Sequence, residues 1–189
     1  MSQPIKLKFY PVDNIYHLTK PEENSQSNLS SSALDIFTDF TRYRPIMIES
    51  NASLDEAQTL MEKSHTTLRL VVNEQEELVG LISRADLSGT LVMQQVNRGL
   101  KRDEIRVSDL MESRKNCKAI SYEELAQASV SDVIDALSAE GKHHCLVIDK
   151  PNGLIRGVIS ASEIAKLAHL SISINNRPTF ADIYQVLQR

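Results

Sequence analysis

Tryptophan is absent from this 189-residue chain, aromatic residues make up 5% of it, and there are only two cysteines, Cys117 and Cys145. Aliphatic side chains must therefore build most of any core. The cysteines give neither a disulfide framework nor metal-ligand spacing, and a reducing, cytoplasmic setting is expected. No run of about 18 apolar residues occurs, so no membrane span is expected. The start of the chain, Met1 to Lys8, lacks the apolar stretch of a signal peptide. A formal net charge of −4 shows no basic excess of the kind that nucleic-acid binders carry, although a local basic pocket is compatible with it. No nucleophile–base arrangement is legible and neither cysteine has an activating neighbour. His17, His65 and His169 are isolated. His143 and His144 open a strand without the further ligands that zinc needs. No catalytic residue, metal or required cofactor is expected, and the chain is read as a non-enzyme. What is present is ordinary for a globular protein, with 41% hydrophobic and 24% charged residues.

One segment occurs twice. Gly80-Leu81-Ile82-Ser83-Arg84-Ala85-Asp86-Leu87 returns 77 positions later as Gly157-Val158-Ile159-Ser160-Ala161-Ser162-Glu163-Ile164. Each copy closes a longer block. In the first block, Pro45–Ile48 reads as a strand. Ser53 caps a helix with Leu54, Ala57, Leu60 and Met61 on one face. Leu68–Asn73 and Leu78–Ile82 are strands, and a last helix is expected from just after Ser83 to near Gly99. The second block repeats the order: Lys118–Ile120, a helix capped by Ser129 and carrying Val130, Val133, Ile134 and Leu137, then His144–Asp149, Leu154–Ile159, and a helix from Ser160. An insertion, Ser121 to Ala128, separates its first strand from its first helix. The fold class is mixed α/β (α+β), a β-α-β-β-α unit used twice. The expected layout is an N-terminal segment over residues 1–43, repeats over 44–104 and 105–170, and a C-terminal extension over 171–189. Within the first of these, Ile5 to Tyr10 reads as a weak strand, residues 20–32 as a mobile linker, and Leu34 to Phe40 as a helical turn or two. Ile105 to Met111 is too apolar for a free linker and is expected to pack against the second repeat. Thr179 to Asp182 reads as a capping box opening an amphipathic helix with Phe180, Ile183, Tyr184 and Leu187. That helix either covers an edge or makes a dimer contact.

Pro-Ile-x-Ile, Ser-Leu-x-Glu-Ala-x-x-Leu-Met, Leu-Val-Val-Asn and Leu-Val-Gly-Leu-Ile-Ser-x-x-Asp together resemble a cystathionine-β-synthase (CBS) motif. The two copies, joined by Val-x-Asp-Leu-Met, resemble a tandem CBS pair over about Arg44 to Leu170. The resemblance implies two repeats packed about a pseudo-two-fold axis with two clefts between them. It also implies a homodimer and an adenosine-containing ligand such as AMP, ADP, ATP, S-adenosylmethionine or NAD. With no catalytic or channel domain in this sequence, the regulated partner is expected to be a separate protein. Carried over residue by residue, the family motif puts Ser83 on phosphate or ribose and Asp86 on the ribose hydroxyls. Ser160 takes the first role in the second cleft, and Glu163 departs from the motif.

The chemistry is sensible by itself. A carboxylate accepts hydrogen bonds from two vicinal hydroxyls, and a helix starting after Ser83 would present free N–H groups to phosphate. Arg84, Arg44 and Arg69 could add charge, and Ile46 an apolar slot for the base. Yet Ser-x-x-acid is also a capping box, and it recurs here at Ser53, Ser129 and Thr179. Asp, one methylene shorter than Glu, is the poorer reciprocal capper, which favours a ligand role for Ser83 and Asp86 over one for Ser160 and Glu163. The alternative is a structural dimerisation or protein-interaction module whose serines only start helices.

Overall fold

The duplicated strands form two four-stranded sheets, and each sheet is completed by a strand from outside its own repeat. The computed structural model describes residues 29–167 and 179–187. The expected strand at Ile5–Tyr10 and most of the expected linker lie outside them. A 3-10 turn, Ala33–Ile36, leads into β1, Phe37–Asp39. The first repeat supplies β2 (Met47–Glu49), α1 (Leu54–Lys63), β3 (Leu68–Val72), β4 (Leu78–Ser83) and α2 (Thr90–Asn97). A connecting stretch holds α3 (Val107–Leu110) and β5 (Glu112–Ser113). The second repeat supplies β6 (Ala119–Ser121), α4 (Tyr122–Leu125), α5 (Val130–Ser138), β7 (His144–Asp149), β8 (Leu154–Ser160) and α6 (Ala161–Leu167), and α7 (Phe180–Leu187) follows.

The strand orders are β2-β3-β4-β5 and β1-β8-β7-β6. In each sheet the first strand of the repeat runs parallel to the second, and the second and third form an antiparallel pair. The irregularity between Val71 and Val72 is repeated between Val147 and Ile148. The outer strands cross the two repeated glycines: β5 pairs with β4 at Gly80, and β1 with β8 at Gly157. A Cβ on Gly80 would stand 2.6 Å from the Glu112 carbonyl, and one on Gly157 would collide with Phe37 and the Thr38 carbonyl. Glycine recurs in the motif because a strand lies directly over it.

The helices follow their sequence signals. Ser53 Oγ accepts from the Glu56 N–H at 3.2 Å, and α1 buries Leu54, Ala57 and Met61. Leu60, expected on that face, is 38% exposed. A complete capping box between Ser129 and Asp132 opens α5, which buries all four of its expected apolar residues. Phe180 and Ile183 of α7 are fully buried, and the helix packs along α5. That contact within the chain uses the face for which a dimer contact was the other expectation.

Three expectations need correction. Ile105 to Met111 joins the core of the first repeat, where Ile105, Val107 and Leu110 are buried with Leu54, Met61 and Ile82. Its backbone is bound there too: the Leu54 N–H donates to the Ile105 carbonyl, and the Val107 N–H to that of Ala52. Leu34 to Phe40 forms one 3-10 turn and then a strand, not a longer helix, because β8 offers it an open edge. Residues 84–88 after Ser83 are turns, with the Arg84 N–H donated to Thr67 and the Asp86 N–H to Ser83, so helix α2 starts only at Thr90. The insertion before α5 is partly helical: α4 is opened by a capping box between Ser121 and Glu124.

The leading segments thus repeat as well. Ala33-Leu34-Asp35-Ile36-Phe37 corresponds to Val107-Ser108-Asp109-Leu110-Met111, and each copy docks on the opposite repeat. Leu29 to Ser32, the described end of the expected linker, also docks there. Leu29 and Ser31 accept from the N–H groups of Ser131 and Val130 at 2.8 and 2.9 Å.

Candidate functional site

Leu70 and Leu81 of one sheet meet Leu146 and Val158 of the other in a small apolar seam. Strand register makes these two pairs equivalent under the pseudo-two-fold relation. Two clefts border the seam, and Leu68 lines both.

The wider cleft has a volume of about 430 Å3, within the range of small-molecule pockets. The stretch from Phe40 through Tyr43, Arg44 and Ile46 forms one wall, and His65, Thr66 and Thr67 form the turn between α1 and β3. Ser160 and Glu163 enter from the second repeat, with Leu70 and Val158 also in the lining. Tyr43 is 64% exposed and Ile46 43% exposed, so apolar surface faces solvent beside an Arg, a His and a carboxylate. The Ser160 hydroxyl lies 2.7 Å from that of Ser162. The narrower cleft has a volume of about 60 Å3, room for a few waters. Ser83, Asp86, Glu112, His143 and His144 line it.

The expected site residues are therefore divided. Arg44 and Ile46 share the wide cleft with Ser160 and Glu163, while Ser83 and Asp86 face the narrow one. Strand order is the cause. β3 separates β2 from β4, and Leu68 at its start pairs with Ser83 at the end of β4. The start of β2 and the end of β4 thus flank Leu68 on opposite sides.

Arg69 and Arg84 line neither cleft. Arg69 is 6% exposed and donates to the Met47 carbonyl at 3.1 Å, the Leu60 carbonyl at 2.9 Å and Ser64 Oγ at 2.8 Å. Burial lowers its pKa from the ordinary guanidinium value. Arg84 donates to the Met61 carbonyl at 3.0 Å. Both side chains reach back to the C-terminal part of α1, onto carbonyls that also accept from the Ser64 and Thr66 N–H groups.

Ser83 is 1% exposed, and Asp86 Oδ2 accepts from its N–H at 2.8 Å and from its hydroxyl at 2.5 Å. The Ser129–Asp132 and Thr179–Asp182 pairs make the same two bonds. At Ser129 and Thr179 the shorter acid closes the box fully, against the expectation that Asp caps poorly, whereas the Asp86 N–H donates to the Ser83 carbonyl. The fixed Ser backbone already brings the carboxylate within reach.

A polar anchor holds the wall of the wide cleft. Asp39, 9% exposed, accepts from the Thr41 N–H at 2.9 Å and the Thr41 hydroxyl at 2.8 Å, and pairs with Arg156 at 3.3 Å. The Arg156 guanidinium lies 3.4 Å from the centre of the Tyr122 ring, a cation–π contact. Burial raises the Asp39 pKa, but the Thr41 donors and Arg156 outweigh it and hold the carboxyl below its ordinary range.

The thiols are suppressed. Burial pushes Cys145 up to about 12, and burial with the nearby Glu112 charge pushes Cys117 up to about 11. Neither is a thiolate near neutral pH. Among the described residues no group of three or more His, Cys, Asp or Glu is placed to hold a metal. No described helix is long and apolar enough to cross a membrane.

Sequence reasoning missed Thr38, Tyr43 and the His65–Thr67 turn. The turn had a signal, since its aligned counterpart is Gly141-Lys142-His143, in which both threonines become long side chains while His65 becomes glycine. Tyr43 had none, because it lies just before the duplicated block.

The family model described as CBS domain matches residues 36–92 and 107–170. No curated protein sequence matches the chain significantly. Among solved structures, the chain is similar to an uncharacterized conserved protein from Pyrococcus horikoshii, at 16% identity and a TM-score of 0.55, covering 77% of this chain and 98% of that one. A conserved CBS domain protein of unknown function from Thermoplasma acidophilum is 19% identical with a TM-score of 0.52, covering 80% of this chain and 77% of its own. CBSX2, solved in complex with AMP, is 20% identical with a TM-score of 0.52, covering 73% of this chain and 96% of its own. At these identities the likeness establishes the fold, a mixed α+β pair of repeats.

Proposed function

The chain belongs to the CBS-domain family, and we propose that it is a regulatory module that binds an adenosine-containing ligand in the wide cleft and signals to a separate partner protein. One observation carries this reading: a cleft of about 430 Å3 in which Arg44 and Ile46 of the first repeat meet Ser160 and Glu163 of the second. Tyr43, Ile46 and Leu68 offer an apolar slot for a purine. The Glu163 carboxylate is an acceptor for ribose hydroxyls, and Arg44 is a donor for phosphate. The AMP held by CBSX2 supports the choice of ligand class. AMP, ADP, ATP, S-adenosylmethionine and NAD are the ligands to try. A ligand joining Arg44 to Glu163 would couple the two repeats, and a homodimer in the cytoplasm would pass that change to the partner. No catalytic step belongs to the mechanism.

Thermal denaturation against those five ligands tests the reading. A binder at a hundred times its dissociation constant adds about 2.7 kcal/mol of stability. The shift should disappear with Glu163→Ala and shrink with Arg44→Ala. If no ligand shifts the transition, the second reading stands, a structural dimerisation or protein-interaction module. The observation favouring that reading is the Asp86 carboxylate, which already holds the N–H and hydroxyl of Ser83.

A further inference from the structure

The narrow cleft is the pseudo-symmetric counterpart of the wide one, and several side chains around it are longer than their counterparts. Strand pairing fixes the equivalence. Thr38 opposes Val158 as Glu112 opposes Leu81, and Leu68 opposes Ser83 as His144 opposes Ser160. The Arg84 N–H donates to the Thr67 carbonyl as the Ala161 N–H donates to that of His143. Thr66 and Thr67 therefore correspond to Lys142 and His143. Three short side chains around the wide cleft, Thr38, Thr66 and Thr67, become Glu112, Lys142 and His143 around the narrow one.

These longer side chains occupy the space. Lys142 Nζ, in the turn before β7, meets Glu112 Oε1 on β5 of the other sheet at 2.5 Å, with both side chains only about a quarter exposed (25% and 28%). His144, in place of Leu68, is 7% exposed. The volumes follow, about 60 Å3 against about 430 Å3. The closed side is braced from behind. The Phe180 N–H of α7 donates to the Lys142 carbonyl at 3.0 Å, and the Phe180 ring is fully buried.

Resting on the reading above, we propose that the chain binds one adenosyl ligand per protomer, in the wide cleft. Glu112, Lys142, His143 and His144 form a built-in plug, held by α7, that closes the equivalent cleft. Calorimetric titration of the full chain with AMP, ATP and S-adenosylmethionine should give one site per protomer. Glu163→Ala should weaken it at least tenfold, and His143→Ala should leave it within twofold. The variant E112T/K142T/H143T/H144L, which carries the wide cleft's residues into the narrow one, should bind two. Two sites in the unaltered chain would overturn the proposal. So would one site that responds to His143→Ala and not to Glu163→Ala, or a folded fourfold variant that still binds one. If the fourfold variant does not fold, the count in the unaltered chain and the two single variants still decide. Absence of binding by every probe sinks the adenosyl reading itself, an outcome separate from a count of two.

Discussion

Arg69 reads from the sequence as a cation at a strand end, available to a phosphate. Its neighbours make it a staple instead, joining β3 to a carbonyl of β2 and to the last turn of α1. Replacing it by methionine keeps the apolar stem and removes the donors. Arg69→Met should lose about 2–3 kcal/mol, because three hydrogen bonds from a charged group, the stronger kind, are removed. Urea denaturation would read the loss, and any ligand-induced rise in Tm should persist. Asp39 gives a pH signature. Its folded-state pKa is lowered, so its contribution is full above the unfolded value of about 3.9 and is lost as pH falls through the lower folded value. Between those values the unfolded chain binds more protons, and stability should rise with pH. Asp39→Asn should flatten that acid limb in urea midpoints measured across the acid range. The acidic position of the repeated motif was legible as a residue type. Its use was not, because a Ser-x-x-Asp triplet has the same spacing whether the carboxylate faces a ligand or its own serine.

Most elements were legible because their periodicities are local. The apolar faces of α1 and α5, their capping serines and the paired strands β3–β4 and β7–β8 all follow from residues within one repeat. The elements misjudged from sequence depend on distant partners. β1 is a strand because β8 leaves an edge open 120 residues along the chain, and nothing in Phe37-Thr38-Asp39 announces that. α2 starts late because Thr67 and Ser83 engage the backbone of Arg84 and Asp86. The repeated glycines are the trace that these crossing strands leave in the sequence. Gly80→Ala should cost about 1–3 kcal/mol, the usual penalty of overpacking, since the Glu112 carbonyl as well as the Met111 side chain meets the new methyl group. A lower urea midpoint at an unchanged m-value would show it.

At the scale of the whole molecule, the duplication showed one unit used twice, and the family resemblance it carries implied the packing and the number of clefts. It did not reveal which cleft is open, because the lining of each is assembled from both repeats. Arg44 and Ile46 reach Ser160 and Glu163 only after folding, and the threonine-to-long-side-chain changes matter only once the symmetry is known. Each sheet also lacks a strand without the other half. The chain should therefore unfold in a single transition, with calorimetric and van't Hoff enthalpies agreeing. Two separated transitions would contradict that coupling.

The reciprocal strand exchange also bears on proteolysis. A single cut in the exposed stretch around Arg98 to Lys101 would leave β1 on the N-terminal fragment and β5 on the C-terminal one, each still seated in the other's sheet. The nicked protein should elute from a sizing column as one particle and separate only in denaturant, its two pieces clasped like the halves of a buckle.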